Sequence, residues 1–141
     1  MITVTRHHDI SAGHRVHDHE GACKNLHGHN YRIHFTVAGP SLDSTGRVVD
    51  FSIVKATLCA WLDNNWDHRF LVWKHDPLAY MLREMDDKVV LLDFNPTAEN
   101  LAWHLLEVVG PSELWIKSIH LIEVRVEETR RCSATAKLKE E

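Results

Sequence analysis

Alternating apolar and polar residues predict the strands of this chain. Residues 2–10 alternate loosely. Residues 27–38 alternate clearly, and the apolar positions of one parity are Tyr31, Ile33, Phe35 and Val37. Because successive side chains on a strand point to opposite faces, these four are predicted to face a core. The remaining predicted strands are a short one at 47–51 and two more at 88–93 and 118–129.

Spacing of three and four residues predicts two amphipathic helices. The first covers residues 52–66, with Ser52 as the predicted N-cap. The second begins at Asn95-Pro96 and is predicted to end at Gly110-Pro111. A shorter helical stretch is predicted at 78–85. The resulting order predicts an α+β fold, with a layer of helices on an antiparallel sheet.

Composition narrows the class of protein. The 141 residues fit a single domain, and the polar tail from about Arg130 to Glu141 is expected to fray. A net charge of −4 lacks the basic excess of a nucleic-acid-binding domain. No apolar run is long enough for a membrane span, so no membrane partner is expected. Three cysteines and no export signal predict a reduced, cytoplasmic setting.

Histidine is the unusual component, since eight of the 12 lie in the first 34 residues. His27 and His29 would project from the same face of a strand, where they could bind a metal ion together. His14, on the preceding strand-like stretch, is the predicted third ligand. Three histidines and an open position are typical of a catalytic Zn²⁺ site. The alternatives are a merely solvated histidine pair and a histidine-rich metal buffer.

Three other positions suggest proton transfer. Cys23 lies in a polar segment beside Lys24, where a thiolate could act as nucleophile or general base. Its alternative is an inert small hydrophobe. In Asp67-His68, the carboxylate could orient the imidazole, with surface solvation as the alternative.

On the last strand, Val124 and Val126 alternate in the pattern of inward-facing residues, and Glu128 continues that pattern at the end of the strand. A carboxylate there either meets water at a frayed end or faces something buried. A heterocycle with two N–H donors would suit it, because an ionised carboxylate accepts bidentate pairs.

Six motifs in order resemble the 6-pyruvoyl-tetrahydropterin synthase / 6-carboxytetrahydropterin synthase family. Any one alone is a weak signal, but six over most of the chain are specific. They are Ser-Ala-Gly-His-Arg (11–15), Cys-x₃-His-Gly-His (23–29), Val-Val-Asp-Phe (48–51), Asp-His-Arg-Phe-Leu (67–71), Asn-Pro-Thr-Ala-Glu-Asn-Leu-Ala (95–102) and Val-Glu-Glu-Thr (126–129).

The resemblance implies a tunnelling fold, in which a four-stranded antiparallel sheet carries two main helices on one face. It also implies a homo-oligomeric barrel, commonly a hexamer, with active sites at subunit interfaces. The family's site residues match the zinc ligands His14, His27 and His29, the catalytic residues Cys23, Asp67 and His68, and the pterin-anchoring Glu128. In the family resemblance, the Asp67–His68 pair is expected to come from a neighbouring subunit. Thr97 and Glu99 match a helix start that lines the pterin pocket, with helix capping as their alternative role.

The implied substrate is a small pterin triphosphate, 7,8-dihydroneopterin triphosphate. The carboxy-forming branch of the family, on the queuosine route, releases triphosphate and acetaldehyde, whereas the pyruvoyl-forming branch keeps the side chain. The helix start at 95–100 resembles the carboxy-forming enzymes, so that branch is favoured. The alternatives are the pyruvoyl-forming activity and a non-catalytic zinc- or pterin-binding module. Candidates to hold the triphosphate, by nearness to motifs, are Arg15, Lys24 and Arg69, with ordinary surface exposure as the alternative for each.

Overall fold

A computed structural model describes residues 1–139, and its strands form one mixed sheet. The strands are β1 (Thr3–His14), β2 (His27–Ala38), β3 (Arg69–Trp73), β4 (Val89–Leu92), β5 (His120–Glu127) and β6 (Ser133–Lys137). The order across the sheet is β4-β3-β1-β2-β5-β6. β1, β2, β5 and β6 are antiparallel to their neighbours among these four, whereas β1–β3 and β3–β4 are parallel pairs.

Two long helices are each interrupted by a π-helical segment without losing continuity. The first runs over residues 51–65 and the second over residues 98–113. The other helical elements are a short α-helix and a 3₁₀ turn. The bounds are α1 (Phe51–Val54), π (Lys55–Cys59) and α2 (Ala60–Asn65); α3 (Ala79–Met85); α4 (Ala98–His104), π (Leu105–Val109) and α5 (Gly110–Glu113); and the 3₁₀ turn Ala22–Lys24.

The core lies between the two long helices and one face of the sheet. Tyr31, Ile33, Phe35 and Val37 of β2 are all at most 1% exposed, which confirms the face predicted from their parity. They belong to one buried cluster with leucines of both helices, such as Leu58. Full burial of one such side chain contributes about 1.5–3 kcal/mol, so this face is a major source of stability.

The sheet differs from the prediction in strand number and direction, since it has six strands and is mixed. β3 and β4 pair in parallel with their neighbours, and β3 was not predicted at all. A parallel pairing joins segments far apart in the chain, so local periodicity does not reveal it. Residues 47–51 are not a strand: Asp50, not Ser52, is the N-cap of α1 and accepts a hydrogen bond from Ser52 N at 2.8 Å.

The polar tail also differs from the prediction, because residues 133–137 form β6 instead of fraying. β6 pairs antiparallel with β5 at the edge of the sheet, and Glu128 N donates to Cys132 O in the connecting turn. Backbone hydrogen bonds hold an edge strand even when its side chains are short or exposed, so its composition is a weak signal. Residues 140–141 of the predicted tail lie outside the described residues.

The second long helix continues through Gly110-Pro111 to Glu113, where the sequence predicted its end. Pro111 stands directly after the π-helical segment, near the start of α5. Gly110 is buried against β5, and a Cβ at this position would lie 2.7 Å from Cδ2 of Leu121. The glycine thus serves close packing of helix on sheet.

We expect Gly110→Ala to destabilise the protein, although alanine has the higher helix propensity. Overpacking costs about 1–3 kcal/mol and the propensity gain is about 1 kcal/mol, so the steric cost should dominate. Ser112→Ala, on the exposed side of the same helix, is the control and should change stability by less than about 0.5 kcal/mol. Urea unfolding measures both. A Gly110→Ala variant more stable than the parent would contradict this packing.

Candidate metal centre

Three histidines converge where β1 ends and β2 begins. His14 pairs with His27 in the antiparallel ladder, and Ala12 pairs with His29. His27 and His29 are two residues apart on one strand and therefore share a face. The ring centroid of His14 lies 4.5 Å from that of His27 and 5.1 Å from that of His29. The structure thus brings together the three histidines that the sequence singled out.

Backbone carbonyls set the tautomers of two of these rings. Nδ1 of His14 donates to the carbonyl of Pro96, and Nδ1 of His27 donates to the carbonyl of Asn25, both at 2.7 Å. Each Nδ1 therefore carries the proton, and each Nε2 keeps a lone pair. The two Nε2 atoms are 3.0 Å apart. Lone pairs at this separation repel unless a proton or a metal cation lies between them.

His29 supplies the third nitrogen. Its Nε2 is buried and has no hydrogen-bond partner within residues 1–139. Burial lowers the pKa of His29 against the opposing effect of Glu128, which favours the neutral imidazole that binds metals. One nitrogen from each histidine lies within 4.8 Å of the others. The inward lone pairs and this orphaned nitrogen fit a divalent cation that takes imidazole ligands.

Glu128 follows β5 and places its carboxylate against the same cluster. Oε1 lies 3.2 Å from Nε2 of His14 and 3.3 Å from Nε2 of His29. The close approach of His14 is the largest influence and lowers the pKa of Glu128, although burial opposes it. The carboxylate is therefore ionised and adds a negative charge beside the three imidazoles.

Asp67 and His68 are attached to β1 through Ser11. Ser11 N donates to Oδ1 of Asp67 at 2.9 Å, and His68 N donates to the carbonyl of Ser11. Nδ1 of His68 lies 3.0 Å from Oδ1 of Asp67, so the carboxylate holds the proton at Nδ1 and leaves Nε2 available. Burial opposes ionisation of Asp67, but the contacts with Ser11 and His68 keep its pKa below the usual value.

The backbone of His68 has φ of 58°, in the left-handed region that non-glycine residues seldom adopt. Its hydrogen bond to Ser11 helps maintain this conformation. The conformation turns the imidazole outward, where 80% of the side chain is exposed. Such backbone strain clusters at functional positions and is a further observation in favour of His68.

A groove of about 1020 Å³ connects these groups. Side chains from β1, β2, the turn after α2 and the end of β5 line it. The site residues among them are His29, Asp67, His68 and Glu128. The structure therefore joins the Asp67–His68 pair and one face of the histidine cluster within one chain.

Five of the predicted site residues lie outside the lining of this groove: His14 and His27 of the histidine cluster, and Cys23, Thr97 and Glu99. Cys23 is partly exposed on the 3₁₀ turn, and Cys23 and Glu128 both add to the effect of burial in raising the pKa of Tyr31. Thr97 is the N-cap of α4, where its Oγ1 accepts a hydrogen bond from Asn100 N. Glu99 is exposed in the first turn of that helix.

Two features of the site are not evident from the sequence. The Tyr31 ring packs edge-on against His14 and His29, and its buried hydroxyl has no hydrogen-bond partner in the described part of the chain. Tyr31 alternates in step with His27 and His29, which places it on the same face of the strand. The same alternation also fits a residue of the apolar core, so it does not identify Tyr31 as part of the site. The carbonyl of Pro96 was missed because a backbone acceptor leaves no trace in residue type.

No helix within residues 1–139 has the length and apolar character needed to cross a membrane.

The sequence profile of the 6-pyruvoyl tetrahydropterin synthase family matches residues 3–139. The chain is 35% identical over 134 residues to a Rickettsia bellii protein named 6-carboxy-5,6,7,8-tetrahydropterin synthase, covering 94% of this chain and 97% of that protein.

Solved structures agree in fold. An uncharacterized protein from Wolinella succinogenes superposes with a TM-score of 0.86 at 22% identity, covering 98% of each chain. The 6-pyruvoyl tetrahydropterin synthase of Caenorhabditis elegans gives 0.72 at 25% identity, covering 98% of this chain and 96% of that one. On the match over residues 3–139, the chain belongs to the 6-pyruvoyl tetrahydropterin synthase family, a family of pterin synthases.

Proposed function

We propose that the chain is a zinc-dependent 6-carboxy-5,6,7,8-tetrahydropterin synthase. It would convert 7,8-dihydroneopterin triphosphate and one water to 6-carboxytetrahydropterin, acetaldehyde and triphosphate. The observation that carries the proposal is the cluster of His14, His27 and His29, whose free nitrogens meet beside the groove. The name of the Rickettsia bellii relative supports the choice of reaction.

Zinc is the proposed metal, because it binds three imidazoles and leaves a fourth position for a ligand. When bound, it would supply Lewis-acid chemistry at the hydroxyls of the pterin side chain. Pro96 and Asn25 hold two of the rings in the ligating tautomer through their carbonyls. The chain's contribution here is a preorganised set of neutral donors.

Proton transfer is assigned to residues outside the histidine cluster. Nε2 of His68 can accept or return a proton, since Asp67 occupies Nδ1 and stabilises the imidazolium that forms. Cys23 is the proposed second acid–base group. Glu128 is the proposed acceptor for two pterin N–H groups, for which an ionised carboxylate is suited. Subunits would associate as a homo-oligomer, as the family resemblance implies.

Product identification tests the reaction directly. Zinc-loaded protein is incubated with 7,8-dihydroneopterin triphosphate, and acetaldehyde and triphosphate are quantified together. We expect equal amounts of both. Triphosphate without acetaldehyde would assign the pyruvoyl-forming reaction instead, and release of neither would indicate a binding module.

The metal centre predicts one zinc ion per chain, although the chain has 12 histidines. His29→Ala should weaken zinc binding by about 100-fold or more, because loss of a ligand should exceed the effect of losing a supporting contact. His120→Ala, at an exposed position of β5, is the matched control and should leave affinity unchanged. Metal analysis and chelator competition measure both. Several ions per chain would favour a metal buffer.

Cys23→Ala should keep zinc and lose turnover by about 100-fold or more, as expected for loss of a general acid–base group. Cys132→Ala removes an exposed thiol in the β5–β6 turn and is the control. Zinc content and the rate of triphosphate release are measured on both variants. Loss of the metal from Cys23→Ala would make Cys23 a ligand and refute the assigned role.

A further inference from the structure

Cys23 lies on a loop, residues 15–26, that closes on itself between β1 and β2. Val16 N donates to the carbonyl of Cys23 at 2.8 Å, and Asn25 N donates to that of Ala22 at 3.0 Å. These local bonds define the shape of the turn. Its attachment to the rest of the protein depends on side chains.

Arg15 attaches the turn that carries Cys23. Its Nε donates to Oδ2 of Asp76 at 2.5 Å, and its Nη1 donates to the carbonyl of Lys24 at 3.0 Å. The Asp76 side chain is fully buried, and its other oxygen accepts a hydrogen bond from Leu78 N. One guanidinium therefore joins the residue after Cys23 to a fixed carboxylate between β3 and α3.

A second attachment holds the opposite side of the loop. His17 N donates to Oδ1 of Asn95 at 3.0 Å, and Nδ2 of Asn95 donates to the carbonyl of His17 at 2.9 Å. The first half of the loop therefore stays anchored without Arg15. Without the Arg15 contact, the second half, where Cys23 lies, would keep the bond from Val16 N to the Cys23 carbonyl as its link to the first half, and it should therefore loosen.

These contacts argue against a role for Arg15 in binding triphosphate. All three of its nitrogen atoms have partners, since Nη2 also lies 3.4 Å from Nδ1 of His17. Its charge balances a carboxylate with no exposed surface. Turning toward a phosphate would leave Asp76 as an unpaired buried charge, which is strongly unfavourable. Arg15 also does not line the groove that holds Asp67, His68 and Glu128.

We propose that Arg15 is a positioning residue, which holds Cys23 in place through the Lys24 carbonyl and is itself anchored by Asp76. The inference rests on the proposed function in one respect, namely that Cys23 takes part in turnover. It predicts an effect on kcat, whereas a phosphate-binding residue would act on KM.

Arg15→Lys is the main variant, because lysine keeps the charge opposite Asp76 but lacks the second arm of the fork. We expect kcat to fall by about tenfold to 100-fold and KM to stay within about twofold, with one zinc retained. Asp76→Asn should have the same effect. Asp93→Asn, which removes the charge of an exposed ion pair with Lys74, is the matched control and should leave kcat unchanged.

Thiol alkylation gives a readout that needs no substrate. In a Cys132→Ser background, where the remaining Cys59 is buried, the rate of Cys23 alkylation by iodoacetamide is measured by mass spectrometry. We expect Arg15→Lys to raise this rate by about threefold or more, because the turn loosens and exposes the thiol. If the parent protein releases no triphosphate, the proposed function fails while this measurement still decides the role of Arg15.

Two results would overturn the proposal. One is an unchanged or slower alkylation rate in Arg15→Lys. The other is a KM raised by about tenfold at unchanged kcat, which would indicate that Arg15 binds the triphosphate. Circular dichroism checks that the variants fold. If Arg15→Lys does not, the neutral double variant Arg15→Gln/Asp76→Asn undergoes the same measurements, since it leaves no unpaired buried charge.

Discussion

The antiparallel pairing of β1 with β2 is the constraint on which both the core and the candidate site depend. Its register runs from Thr3 opposite Ala38 to His14 opposite His27. The alternation that sends Ile33 toward the helices sends His29 to the same side. A slip of one residue would move the imidazoles to the opposite face and expose the apolar side chains. The energy that stabilises the core therefore also specifies the geometry of the metal centre.

The centre concentrates polar atoms where water has little access, and this makes their pairing decisive. His14 is completely buried, and a buried polar group without a partner costs about 1–3 kcal/mol. Pro96 satisfies one nitrogen of that ring, and Glu128 lies against the other. This arrangement links the sheet to the start of α4 and to the turn after β5. Three separate segments must be in place before the imidazole nitrogens meet.

Some elements were predictable because their signal is local. The strand at 27–38 was predicted with the bounds that the structure has, since its alternation is strong and one face is buried. The strands Arg69–Trp73 and Ser133–Lys137 were missed, because one lies in a parallel pairing and the other is an exposed edge. Gly110 looked like a helix end, yet its function is close contact with Leu121 on another element. In each of these three cases, the local structure depends on a contact with a segment that is distant in the chain.

By itself, the sequence determined the buried face of β2, the pairing of His27 with His29 and, through the order of six motifs, the family. Tertiary structure alone decided how these parts are supported. Pro96 lies 82 residues from the imidazole that it orients, and Asp76 lies 61 residues from Arg15. Periodicity encodes the face of an element on which a residue lies, because that follows from local backbone geometry. It does not encode which carbonyl or carboxylate will face that residue, because only the packing of distant segments brings them together.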